Sequence, residues 1–208
     1  EIENLKTYYN TKKGYVHACD DVTLELAENE TLGLVGESGS GKTTIARSIN
    51  RVLPDNAETV GGSIWFDGKD LTELTERQLR KVRWEGIAYI PQSAMNAFDP
   101  VYTVGEQIVE VIRSHEPDVS KKEAKERARE LFEIVNLEKS RIDDYPHQLS
   151  GGMRQRSAIA MALALDPPIL LADEPTTALD VIIQDQILNR IKKIQEEIDS
   201  AMVMITHD

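Results

Sequence analysis

A single cysteine, Cys19, stands in 208 residues. No internal disulfide can form, and the chain suits a reducing compartment. Aromatic residues are scarce, at 5%. Long apolar runs are missing: the longest, residues 158–165, stops at Asp166. A bilayer-crossing helix needs about 20 such residues, so none is expected. No charged segment followed by an apolar run opens the chain, so no secretory leader is expected. Positive charge is also short. Lys and Arg number 24 against 36 Asp and Glu, a net charge of −12. That balance opposes a broad phosphate-backbone contact. It does not oppose one nucleotide, because screening over about 8 Å leaves a buried phosphate to its immediate neighbours. Internal repeats and low-complexity stretches are absent too.

What remains is a globular composition, 40% hydrophobic and 29% charged, able to bury a core without staples. The length predicts one domain with room for a subdomain. The chain opens at Glu1 rather than Met and stops at Asp208, directly behind an apolar run. Both ends read as cut from something longer.

Apolar strands alternate with helical stretches. Strands are predicted at residues 2–9, 15–26, 31–35, 61–66, 87–90, 169–172 and 201–206. Helices are predicted at 42–53, stopped by Pro54, and at 75–84. Residues 104–165 read as mostly helical, with a capping box at Ser120 and Glu123 and a helix over 150–165. A last helix places Ile183, Ile187, Leu188, Ile191, Ile194 and Ile198 on one apolar face. Continuous apolar strands with helices between them predict a parallel sheet covered on both faces. The class is therefore α/β, with antiparallel strands at the N-terminus and a helical insert at about 93–165.

Gly36-Glu37-Ser38-Gly39-Ser40-Gly41-Lys42-Thr43 matches the phosphate-loop pattern G-x-x-x-x-G-K-[ST] in full. An apolar strand precedes it and a helix follows, which disfavours a chance Gly/Ser connector. The glycines let backbone N–H groups turn inward as an anion nest, and the helix points its positive end at the phosphates. Lys42 is expected on the β- and γ-phosphates, and the Thr43 hydroxyl on Mg²⁺. Thr44 follows at the helix start and joins the expected binding set. Alone, this loop says only NTPase or kinase.

A second site lies in Ile169-Leu170-Leu171-Ala172-Asp173-Glu174, an apolar strand ending in two acids. Ligands of α/β sheets bind at such carboxyl ends. Asp173 is expected to hold Mg²⁺ through water, leaving Glu174 to accept a proton from an attacking water.

Leu149-Ser150-Gly151-Gly152-Met153-Arg154-Gln155-Arg156 adds another anion-binding helix start. It resembles the LSGGQ signature of ATP-binding-cassette ATPases, and with it the resemblance covers essentially the whole chain. The resemblance implies a P-loop NTPase core built from residues 1–92 and 166–208, with 93–165 as the helical signature subdomain. It also implies ATP and Mg²⁺ as cofactors. Gln92 resembles the Q-loop glutamine, which touches Mg²⁺ and the transporter subunit. Ala178-Leu179-Asp180 resembles the D-loop that reaches across a dimer, and His207 the switch histidine at the γ-phosphate. An upstream aromatic usually stacks on adenine; Tyr9 is the choice by loop length, with Tyr15 second. His17, His115 and His147 are expected on the surface or in packing contacts.

The Gly-Glu-Ser-Gly-Ser-Gly-Lys loop, the Met-Arg-Gln-Arg continuation and the stretch from Gln92 to Pro100 are similar to ATPase subunits of oligopeptide and dipeptide importers. The implied partners are a second ATPase subunit, transmembrane permeases and, indirectly, an extracytoplasmic substrate-binding protein, with no nucleic acid. The implied place is the cytoplasmic face of the membrane. The C-terminal extension usual in that subfamily is not part of these residues. The alternative is a soluble member of the family acting on nucleic acid or ribosomes. A simple kinase would need neither signature nor D-loop.

Overall fold

The computed structural model describes all residues except 93–96, 177–180, 198 and 208, and only the backbone of 182, 183, 186, 190, 194, 196 and 197. Two four-stranded sheets carry the fold. The first is antiparallel, in the order β2 (Gly14–Leu24), β1 (Ile2–Thr11), β4 (Ala57–Phe66), β5 (Lys69–Asp70). The second is parallel, in the order β3 (Thr31–Val35), β8 (Ala201–Thr206), β7 (Ile169–Asp173), β6 (Ile87–Ile90). Helices α1 (Lys42–Asn50) and α2 (Glu76–Val82) precede β6. Helices α3 (Val104–His115), α4 (Lys121–Ile134) and α5 (Gly151–Ala162) lie between β6 and β7, and α6 (Val181–Glu197) between β7 and β8.

The parallel sheet is buried on both faces, as its unbroken apolar strands require. Leu170, Ala172 and Met202 join a core with Ile108, Ile112, Phe132 and Ile159 from α3 to α5, and with Ile187 and Ile191 from α6. Leu171 and Val203 point the other way, into a core with Ile49 of α1 and Ile2, Leu5 and Ile64 of the antiparallel sheet. The period-2 alternation of a strand thus divides one sheet between two cores.

Side-chain caps fix the insert's helix starts. Thr103 and Ser120 each accept from the N–H three residues on, while Glu106 and Glu123 reach back. Those bonds hold both carboxyls below the ordinary glutamate range.

Several boundaries differ from the sequence expectation. Helix α1 stops at Asn50, not 53, because Arg51 turns left-handed at φ 49° and closes the helix through its own N–H. Strand β4 starts at Ala57, not 61, because Ala57, Glu58 and Thr59 pair with β1; that pairing is long-range and leaves no local signal. Leu188 is 39% exposed and lies off the buried face formed by Ile187 and Ile191. Of the other residues predicted for that face, the side chains of Ile183 and Ile194, and all of Ile198, lie outside the described residues.

A bulge in β1 has a functional consequence. Asn4 sits at φ 51°, and the register slips between Ile2 and Leu5. The inward face therefore passes from Ile2 to Leu5 and Thr7, all buried, and on to Tyr9. Tyr8 faces outward, where its ring stacks on His17 at 3.9 Å.

Candidate functional site

Parallel pairing brings four strand ends to one edge. Val35 pairs with Thr206, Asp173 with Ile205, and Ala172 with Ile90. Residues immediately past those ends therefore meet: the loop from Gly36, His207, Glu174 and Gln92. Strand β8 lies between β3 and β7, so His207 emerges between the loop and the acid pair.

The loop itself is exposed at Glu37, Ser38, Gly39 and Ser40 and half-buried at Gly36, Gly41, Lys42 and Thr43. Gly39 and Gly41 hold φ 83° and 94°. At Gly41 the requirement is double, since a Cβ would sit 2.2 Å from the Ala18 carbonyl oxygen. Lys42 donates its ammonium to the Gly36 and Glu37 carbonyls at 2.7 Å each and to Ser40 Oγ at 3.3 Å. Its charge is thus held inside the loop.

Asp173 is fully buried. Thr43 donates to its Oδ1 at 3.0 Å, and Tyr89 of β6 donates to its Oδ2 at 3.0 Å. Burial first, and the Asp173 charge second, push the Tyr89 phenol well above its ordinary range, so it remains a donor. Thr43 and Asp173 form an all-oxygen set beside the loop, and Gln92 adds an amide oxygen at the same edge. That chemistry fits Mg²⁺, which takes a few protein oxygens and completes its octahedron with phosphate and water.

Glu174 has φ 46°, a left-handed conformation that costs a non-glycine residue about 1–2 kcal/mol. Its N–H donates to Ile205 O at 3.0 Å, which ties the turn to β8. Gln92 Nε2 donates to Glu174 Oε2 at 2.7 Å, and His207 Nδ1 lies 3.1 Å from Oε1. The carboxylate is bracketed between the ends of β6 and β8.

Tyr9 places its hydroxyl 3.3 Å from Thr44 Oγ1 and is half-buried over α1. Tyr15 is 66% exposed. The bulge at Asn4 thus aims Tyr9, not its neighbour Tyr8, at the helix that begins in the phosphate loop. Cys19 is buried with its Sγ 3.8 Å from the Gly41 carbonyl, and burial pushes its thiol up to about 11.

Ser150 caps α5, accepting from Met153 N at 3.3 Å, with Gly151 and Gly152 in the first turn. This helix packs on β6, α3 and α4, whereas α1 packs on β1, β2, β6 and β7. Among the described residues no hydrogen bond joins the Ser150 start to the phosphate loop. Asp180, with Ala178 and Leu179, lies outside the described residues, as do residues 93–96 of the stretch after Gln92.

Two contributions escape sequence reading. Tyr89 is the one hydroxyl in an otherwise aliphatic strand, Ile87-Ala88-Tyr89-Ile90, and that is the signal that could have flagged it. Gln155 is buried and donates to Pro175 O at 2.6 Å, tying α5 to the turn that holds Glu174. Nothing local to Gln155 announces that contact.

A phosphate loop, a buried aspartate and a bracketed glutamate at one edge of a parallel sheet define a nucleotide-binding cassette. The profile of the family described as "ABC transporter" matches residues 19–177, and the chain belongs to that family. It is 46% identical to a probable peptide ABC transporter ATP-binding protein of Sinorhizobium fredii, with all of this chain and 63% of the relative covered. It is 46% identical to the oligopeptide transport ATP-binding protein OppD of Bacillus subtilis, covering all of this chain and 59% of that one. For the dipeptide transport ATP-binding protein DppD of Lactococcus lactis the identity is 45%, over all of this chain and 60% of the relative. The chain therefore spans about 60% of the length of these relatives. Among solved structures it is similar to the dimeric ATP-binding cassette MJ0796 bound to ADP and Pi, with a TM-score of 0.90 and 33% identity over 100% of this chain and 87% of that one.

Proposed function

We propose that the chain is the ATP-hydrolysing cassette of an importer for peptides or a related small solute. The observation that carries this reading is the Glu174 carboxylate, held at 2.7 Å by Gln92 and 3.1 Å from His207, one residue beyond the buried Asp173. The peptide-transport names of the relatives support the cargo class.

In this reading ATP lies along residues 36–43, with its base on Tyr9. Backbone N–H groups of Gly36, Ser38, Gly39, Ser40 and Gly41 cradle the phosphates, and Lys42 turns from its own carbonyls to the β- and γ-oxygens. Mg²⁺, when bound, supplies charge neutralisation at those oxygens, and Thr43, Asp173 and Gln92 are the residues that would hold it. Glu174 orients water and takes its proton, while Lys42 and His207 stabilise the spreading phosphoryl charge. Ser150, Gly151 and Gly152 would seal the nucleotide of a second protomer, with Asp180 at the same interface, so that hydrolysis needs a pair. The dimeric state of the solved cassette supports this arrangement.

Residues 1–92 and 166–208 would act as the nucleotide-binding part, and 93–165 as the part that meets permease subunits. Among the described residues no helix is long and apolar enough to cross a membrane, which is consistent with peripheral attachment at the cytoplasmic face through those permeases. The extracytoplasmic binding protein would act only through them. The net charge of −12 favours this reading over a family member that acts on nucleic acid.

Glu174→Gln tests the reading. Turnover should fall about 10²–10⁴-fold, the usual worth of a general base, with ATP affinity retained. Normal turnover would remove Glu174 from the role.

A further inference from the structure

Tyr89 lies outside the loop, the acid pair and the signature, yet its hydroxyl occupies half of the buried aspartate. Asp173 has no exposed surface, so each of its oxygens needs a donor. Thr43 supplies one and Tyr89 the other, each at 3.0 Å. Together they fix the rotation of the carboxylate, a torsion that is otherwise broad and two-fold.

The strand register explains why a phenol is needed. Tyr89 pairs with Leu171, two residues before Asp173. A parallel strand rises about 3.3 Å per residue, so the offset is about 6.6 Å. A phenol spans that length; serine or threonine would not. The positive charge of Arg47 acts on the same phenol, against the upward push of burial and Asp173. Arg47 is one helical turn beyond Thr43 on α1, hence on the same face.

We propose that Tyr89 is a positioning residue for the divalent cation: its hydroxyl locks the Asp173 carboxylate so that Oδ1 faces Thr43, and it thereby sets the Mg²⁺ affinity of the nucleotide site. The inference rests on the nucleotide reading above. Partners that orient a metal-holding side chain are typically worth about 10–100-fold in metal affinity. Among the described residues no hydrogen bond joins Tyr89 to the loop N–H groups or to Lys42, so its hydroxyl is placed to act on the metal and not on the phosphates.

The test is Tyr89→Phe, which keeps the ring and removes the hydroxyl. A fluorescent N-methylanthraniloyl ATP is bound to wild type and variant across a free Mg²⁺ titration, and again in EDTA. Asp173→Asn serves as the control that loses the Mg²⁺ dependence. The half-saturating Mg²⁺ should rise about 10-fold in Tyr89→Phe, with affinity in EDTA unchanged. Superimposable Mg²⁺ curves would overturn the proposal, and so would an equal loss of affinity in EDTA, which would make the hydroxyl a general structural prop. Wild-type binding with no Mg²⁺ dependence would also overturn the proposal, whereas no binding of the ATP analogue by wild type, with or without Mg²⁺, would sink the nucleotide reading.

Discussion

A chain of hydroxyls pins the antiparallel sheet to the phosphate-loop helix, and its energy can be measured. Thr7 and Ser48 have no exposed surface. Ser48 donates to Thr44 O at 2.8 Å, so its proton is used. Thr7, 2.9 Å away, must then be the donor to Ser48, and Thr59 at 3.3 Å the donor to Thr7. Ser48→Ala strands a buried Thr7 donor, a penalty of about 2 kcal/mol. The better helix propensity of alanine returns about 0.5 kcal/mol. The net loss is about 1.5 kcal/mol, or roughly 3–6 °C in Tm for a chain of this size. Thr7→Val leaves the buried Ser48 oxygen without its donor and the half-buried Thr59 hydroxyl to turn to solvent, so about 1 kcal/mol is expected. The double variant replaces both partners and should lose only about 1.5 kcal/mol, not the sum of about 2.5, a coupling of about 1 kcal/mol. Thermal and urea unfolding of the four proteins measure this directly. Additivity within about 0.3–0.5 kcal/mol would refute the directional chain.

Cys19 gives a second prediction. With its thiol pushed up to about 11 and its side chain buried, it should resist a thiol reagent at pH 8 until the protein unfolds. Rapid labelling of the folded chain would contradict that placement. The sign of the linkage follows: unfolded thiols ionise near 8.5, before the folded one. Stability is therefore unaffected by this group below that pH and declines as pH rises from there towards 11. Ser150→Arg places a long cation where α5 begins. It should lower Tm modestly through the lost cap, worth about 1 kcal/mol, and abolish ATP-induced pairing while the single chain still binds ATP. Sedimentation velocity with and without ATP decides; an unchanged ATP-dependent shift would take Ser150 out of the interface.

The site was legible where its chemistry is contiguous. Residues 36–43 carry their pattern in eight consecutive positions, and Asp173 and Glu174 close a strand whose apolar run marks it. The expectation of a parallel sheet covered on both faces agrees with the structure because unbroken apolar strands have no solvated face to offer. Legibility fails where function depends on partners far apart in the chain. Tyr89 meets Asp173 across 84 positions, and Thr43 meets it across 130. The bulge at Asn4 decides which of two adjacent tyrosines faces α1, and it arises from the pairing of three strands, not from any local run.

The charge distribution carries one more consequence. The chain is strongly acidic, and its nucleotide edge adds a buried aspartate next to a nearly buried glutamate, whose side chain is 13% exposed. Such a pair should repel a polyphosphate unless its field is matched locally. Thr43 and Tyr89 donate to Asp173, and Gln92 with His207 brackets Glu174, so each acid is met by neighbours of its own. Lys42, meanwhile, is bound to loop carbonyls and not to either acid. In the proposed reading its cation is thus kept for the phosphates, and the acids are left for metal and water. Had Lys42 paired with Asp173 or Glu174, each nucleotide would first have had to break a partly buried ion pair, a step that can cost about 3–5 kcal/mol. On that reading, separating the cation from the acids before the substrate arrives is what would let so negative a chain take up an anion.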